Sequence, residues 1–86
     1  METKILGLSI SNRQNASLEV QNLLTKYGCS IKTRLGMHEV NENQCSSSGL
    51  IILELTGNQT EYQKLEKELR LIQGIQVDSM TFNLQA

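Results

Sequence analysis

The side chains of this 86-residue chain that could do chemistry fall mainly in two short stretches. The first is Asn12-Arg13-Gln14-Asn15, set just before a helical pattern. A helix start presents N–H groups without intrahelical partners at the positive end of its dipole, a setting that suits a carboxylate or phosphate. The second is Arg34-Leu35-Gly36-Met37-His38-Glu39. Arg34 and His38 share the period-two parity of a strand with Gly36 between them. Both side chains then leave one face while glycine bares the backbone, and a small anion fits there. Plain capping is the alternative for the first stretch, and a solvated or interface-buried pair for the second. The candidate ligand-binding residues are Asn12, Arg13, Gln14, Asn15, Arg34, Gly36 and His38.

His38, Glu39 and Cys45 put imidazole, carboxylate and thiolate within eight residues, donors that a transition metal accepts. One His and two Cys cannot complete a four-ligand site unless carboxylates, water or another subunit contribute. No metal or cofactor is therefore assigned, and a metal sensor built on His38 and Cys45 stands as the alternative. Cys29 and Cys45 are too far apart in sequence, and too far from the first strand, for the paired thiolates of a metallochaperone. Ser46, Ser47 and Ser48 belong to no motif that supplies a base and an orienter, so no catalysis is expected.

Length and charge bound the partners. Eighty-six residues suffice for one domain, residues 1–86, and Leu, Ile, Val and Phe make up about 28% of them, above the roughly 20% below which disorder sets in. A net charge of -1 without charge runs attracts neither nucleic acid nor an anionic membrane. No apolar run nears the roughly 18–20 residues of a membrane span, and Met1-Glu2-Thr3-Lys4 opens no signal-type segment. A cytoplasmic protein with free thiols is expected.

The elements that must position these residues follow from periodicity. Lys4 to Ser11 alternates, with Leu6, Leu8 and Ile10 on one face. Ala16, Val20, Leu23, Leu24 and Tyr27 form one helical stripe, and Gly28 is expected to end it in the left-handed conformation. Ser30 to Val40 alternates again, with Ile31, Leu35 and Met37 expected toward a core and Lys32, Arg34, Gly36 and His38 opposite. Asn41 to Ser48 is expected to be a loop, with Gly49 starting the third strand. Leu50-Ile51-Ile52-Leu53-Glu54-Leu55 is nearly continuous apolar sequence, so both faces of that strand expect burial. Asn58 and Glu61 have capping-box spacing before a second stripe of Tyr62, Leu65, Leu69 and Ile72, which Gly74 closes. Ile75 and Val77 open a fourth strand whose apolar parity changes at Met80, Phe82 and Leu84, as a bulge near Asp78-Ser79 would produce.

The order βαββαβ predicts an α+β, ferredoxin-like domain: a four-stranded antiparallel sheet, first and third strands central, both helices on one face. The other face is left bare. It carries either Leu50, Ile52 and Glu54 or Ile51, Leu53 and Leu55, together with Ile5, so a second copy is expected to cover it or the sheet edges to join. Base-stacking aromatics are missing from the first and third strands, which removes the RNA-recognition reading.

Ser11-Asn12-Arg13, Tyr27-Gly28-Cys29-Ser30-Ile31, Arg34-Leu35-Gly36-Met37-His38-Glu39, Cys45-Ser46-Ser47-Ser48-Gly49-Leu50 and Ile72-Gln73-Gly74-Ile75-Gln76-Val77 resemble segments of the small ACT-like proteins known as iron-only hydrogenase system regulators. The resemblance spans essentially the whole chain. It implies an ACT-like domain that assembles into dimers or tetramers and acts in regulation. ACT domains that bind amino acids carry Asp-Arg-Pro-Gly after the first strand, where this chain has Asn12-Arg13-Gln14-Asn15. The fold is also similar to the C-terminal domain of the nickel-responsive repressor, whose several histidines are reduced here to His38. The expected function is a non-enzymatic module that binds a small ligand and signals to a protein partner, with a purely structural assembly domain as a further alternative.

Overall fold

Among the residues described by the computed structural model, 2–11, 15–40 and 45–83, with the backbone course alone at 37–40 and 45–48, the chain forms the predicted βαββαβ order. The elements are β1 (Glu2–Ile10), α1 (Ala16–Lys26), a short 3-10 turn (Gly28–Ser30), β2 (Ile31–Val40), β3 (Cys45–Leu55), α2 (Gln59–Arg70) and β4 (Ile75–Asn83). The sheet is antiparallel in the order β2-β3-β1-β4, with β1 and β3 central as right-handed crossovers require. This is a ferredoxin-like, ACT-like domain with both helices on one face.

The core lies between that face and the helices. Leu6, Leu8 and Ile10 of β1 and Ile51, Leu53 and Leu55 of β3 meet Ala16, Val20 and Leu24 of α1 and Tyr62, Leu65 and Leu69 of α2. Leu6 pairs with Leu53 and Leu8 with Ile51, which puts these side chains on one side of the pleat. Asn58 Oδ1 accepts from the Thr60 and Glu61 N–H groups at 2.8 and 3.3 Å, so α2 starts on the predicted cap. Gly74 ends the α2 connection at φ 91°, a left-handed value that suits glycine. Lys4 Nζ lies 3.1 Å from Glu66 Oε1, and Arg70 Nη2 lies 2.9 Å from Glu66 Oε2. The first contact ties α2 to β1, and the second lies within α2 and holds the Glu66 carboxylate in place.

Four local expectations are corrected. Gly28 does not take the left-handed conformation; α1 runs into the 3-10 turn instead, where the Ser30 N–H donates to the Tyr27 carbonyl at 2.9 Å. Cys45 to Ser48 belong to β3 and not to a loop, while Asn41 to Gln44 lie outside the described residues. β4 pairs with β1 without a register break from Glu2↔Asn83 to Ile10↔Ile75, so it contains no bulge. The bulge is in β2: Lys32 and Thr33 together oppose Glu54, and the parity of β2 flips there. Leu35 is consequently turned away from the helices and is 55% exposed, while Arg34 and Gly36 pair with the buried Leu53 and Ile51 on the helix side.

β1 pairs with β3 only from Gly49 onward, so the β2–β3 hairpin overhangs β1 by four residues, about 14 Å. This arm accounts for the 49 × 22 × 18 Å extents. It also accounts for a radius of gyration of 13.6 Å, against about 12 Å for a compact chain of this length.

Candidate ligand site

The β1–α1 turn leaves the sheet at Ser11, whose N–H donates to the Gly74 carbonyl at 2.9 Å and fastens the turn to the α2–β4 connection. Asn12, Arg13 and Gln14 lie outside the described residues. Asn15 is the residue before α1. It sits at φ 71° and ψ -9°, left-handed geometry that asparagine tolerates better than most side chains. Its carbonyl accepts from Glu19 N–H at 2.9 Å, but its side chain makes no capping bond. Capping by Asn15 is thereby removed as an account of that residue, and its exposed amide stands beside the start of α1.

The second stretch runs along the outer edge of the sheet. His38 pairs with Gly49 and Gly49 with Ile10, so one ladder row about 10 Å wide joins the backbone at His38 to the last residue of β1 before the turn. The side chain of His38 lies outside the described residues. Arg34 is four positions back along β2, about 13 Å away, and its guanidinium donates to Gln21 Oε1 on the flank of α1. At Gly36, between them, an added Cβ would meet nothing within 4 Å, so the backbone there is open. The fold thus brings the strand position of His38 to the turn end of the sheet and keeps Arg34 further along the α1 flank.

The opposite end of the sheet holds a cleft of about 390 Å³ that sequence reasoning missed, lined by Glu2, Lys32, Glu54, Gln59 and Tyr62 among others. Tyr62 Oη donates to Glu2 Oε1 at 2.6 Å, and this hydrogen bond to a carboxylate raises the phenol pKa. Glu54 accepts from Thr33 Oγ1 at 3.1 Å and lies 3.8 Å from Lys32 Nζ. Sixty residues separate Tyr62 from Glu2, beyond any local periodicity. The one available signal was a tyrosine on a buried stripe, whose hydroxyl needs a partner. A groove of about 320 Å³ between the helices is lined by Leu23, Leu71 and Ile72 with Glu19 and Glu68. Among the described residues no three His, Cys, Asp or Glu side chains converge as a metal site. None of the described helices is long and apolar enough to cross a membrane. Cys29 is an exposed free thiol.

No protein-family model matches the chain, and no curated protein does. Solved structures do. The uncharacterized protein TM1266 from Thermotoga maritima superimposes with a TM-score of 0.79 at 24% identity, over 96% of this chain and 100% of that one. The ACT domain of GTP pyrophosphokinase from Chlorobium tepidum gives a TM-score of 0.60 at 14% identity, over 93% and 97%. A dimeric ferredoxin-like protein of unknown function from Thermobifida fusca gives 0.51 at 11% identity, over 98% and 92%. At these identities the likeness is one of fold, and it places the chain among ACT-like, ferredoxin-like architectures.

Proposed function

We propose that this chain is a non-enzymatic regulatory module that works as a homo-oligomer, binds a small anionic ligand beside the β1–α1 turn and passes its bound state to a protein partner. The observation that carries the reading is the start of α1, where Asn15 is held left-handed and its side chain caps none of the first N–H groups of the helix. Such an end favours a carboxylate or phosphate. Asn12, Arg13, Gln14 and Asn15 would hold the ligand, with Arg34, Gly36 and His38 on the neighbouring strip of β2. The ACT domain of the Chlorobium enzyme supports a regulatory use of this frame, and the dimeric Thermobifida protein supports its use in pairs. The resemblance to iron-only hydrogenase system regulators makes an iron-only hydrogenase system the first place to look for the partner. Regulation requires the ligand to bind two arrangements unequally.

A thermal-shift screen against amino acids, nucleotides and small anions tests this reading. A ligand at 100 times its Kd adds about 2.7 kcal/mol of stability. The expected result is a hit that Arg13→Ala and Arg34→Ala each weaken, and no stabilisation by any compound overturns the ligand reading. The register also favours a second reading, because Cys45 lies on β3 opposite Val40, two residues from His38, and not in a loop. For a metal sensor, elemental analysis after challenge with transition metals would return one metal per chain or per pair, and a stoichiometry near zero removes it.

A further inference from the structure

We infer that the helix-free face of the sheet is the seat of a second copy of this chain, packed face to face along a diagonal apolar stripe. This deepens the assembly reading above and rests on it. The register maps the face row by row. Phe82 stands opposite Thr3. Met80 and Ile5 are paired in the next row, beside Glu54 and Thr33. Leu35 and Ile52 follow beside Gly7 and Asp78, and then Leu50 beside Ser9 and Gln76. The apolar members run corner to corner, from the end of β4 across β1 and β3 to the middle of β2. The polar members fill the two remaining corners.

The stripe is too large for the protomer alone. Leu35 and Met80 are each 55% exposed, Phe82 47% and Leu50 40%. Those four side chains present on the order of 400 Å² of apolar surface, and Ile5 and Ile52 add to it. Two such stripes approach the roughly 900 Å² of non-polar area contained in a standard interface of about 1,600 Å².

Charge selects the orientation. Lys32 and Asp78 lie on opposite sides of the stripe, near its midpoint and at similar distances from it, since Lys32 adjoins the Glu54 row on β2 and Asp78 closes the Gly7 row on β4. A two-fold axis along the stripe lays apolar on apolar and sets each Lys32 over the partner's Asp78. A two-fold axis across the stripe sets like corner over like corner. The Lys32 side chain is 65% exposed and its Nζ lies 3.8 Å from Glu54 Oε2, so reaching the partner's Asp78 exchanges that ion pair for one across the interface.

Sedimentation equilibrium on the full chain tests the interface. The wild type is expected to be a dimer. Leu35→Lys and Met80→Lys are each expected to weaken it more than about tenfold, whereas Leu71→Lys, at a position 76% exposed on the helix side, leaves it intact. Asp78→Lys is expected to weaken the dimer and the added change Lys32→Asp to restore it. Circular dichroism checks that each variant folds, and Leu35→Gln with Met80→Gln repeats the test for any that does not. A wild type that stays monomeric at about 1 mM, or a dimer that survives both stripe variants, overturns the interface. A dimer that survives them leaves the ligand reading standing, and a ligand screen without hits leaves the interface standing, so the two fail separately.

Discussion

Asn15 and Asn58 occupy equivalent places, one before each helix, and the fold uses them differently. Asn58 is extended, at φ -68° and ψ 118°, and its side-chain oxygen accepts two N–H groups of the first turn of α2. Asn15 is left-handed and its side chain accepts none from α1. Removing the first should therefore cost stability, and replacing the second by glycine should not. Asn58→Ala is expected to destabilise the fold by about 1 kcal/mol, the usual worth of an N-cap. Asn15→Gly relieves the left-handed backbone and is expected to be neutral or slightly stabilising. Urea denaturation of the two variants beside wild type measures both. Equal losses would mean that Asn15 caps α1 after all. The two residues look alike in sequence, since each is an asparagine before a helical stripe. What separates them is backbone conformation, which composition does not carry. Asn58 was legible because Glu61 follows at capping-box spacing, and the stretch ending at Asn15 lacks that signal.

At the scale of elements, periodicity located the strands and α-helices of the described residues and their order, though not Cys45 to Ser48 of β3 or the 3-10 turn, because a half-buried element must repeat its apolar residues on one side. It failed where the element has two apolar sides. The parity change in β4 suggests a bulge if the strand has one core face. In the structure Val77 faces the helices, Met80 and Phe82 face the other way, and the ladder is unbroken. The alternation of β2 likewise points Leu35 to the core, and a bulge at Lys32 and Thr33 sends it outward. Both failures have one cause, a second apolar surface that only the near-continuous run of β3 announced. Of the candidate site, the residue types were legible. The anchoring of Arg34 to Gln21 and the spacing between Arg34 and the turn were not, because both depend on pairing across strands. Contacts between helices are likewise invisible to local spacing. Tyr27, at the end of α1, donates its hydroxyl to Glu68 on α2, and this hydrogen bond, with burial and the Glu68 charge, raises its pKa to about 12. The fold thus favours the neutral phenol. The resulting stability is complete below the ordinary value near 10 and is lost as pH rises from 10 through about 12. Tyr62 is raised as well, by its hydrogen bond to Glu2, so both tyrosines are expected to titrate above the ordinary value while the chain is folded. Absorbance titration should show Glu68→Gln moving one phenol back toward 10. A Tyr27 phenol that already titrates there in the wild type, identified by its loss in Tyr27→Phe, would remove the helix–helix contact.

For the molecule as a whole, size and surface lead to one measurable consequence. A single core in a chain near 80 residues supplies only about 3–5 kcal/mol. The buried set here draws on both helices and three strands, while among the described residues the opposite side of the same sheet leaves four large apolar side chains in water. Pairing of two such sheets removes that surface from solvent and couples folding to association. The reaction being melted is then a dimer separating into two unfolded chains, and mass action makes its midpoint depend on concentration. Each tenfold dilution withdraws about 1.4 kcal/mol from the dimer, or about 0.7 per protomer. At roughly 4–8 °C per kcal/mol for a domain of this size, that lowers Tm by a few degrees. Leu35→Lys breaks the stripe without touching the core and is expected to melt lower, at a temperature that no longer changes with dilution. A wild-type Tm that is flat over a hundredfold range would mean that the protomer carries its stability alone and that the exposed face of its sheet contributes nothing to folding.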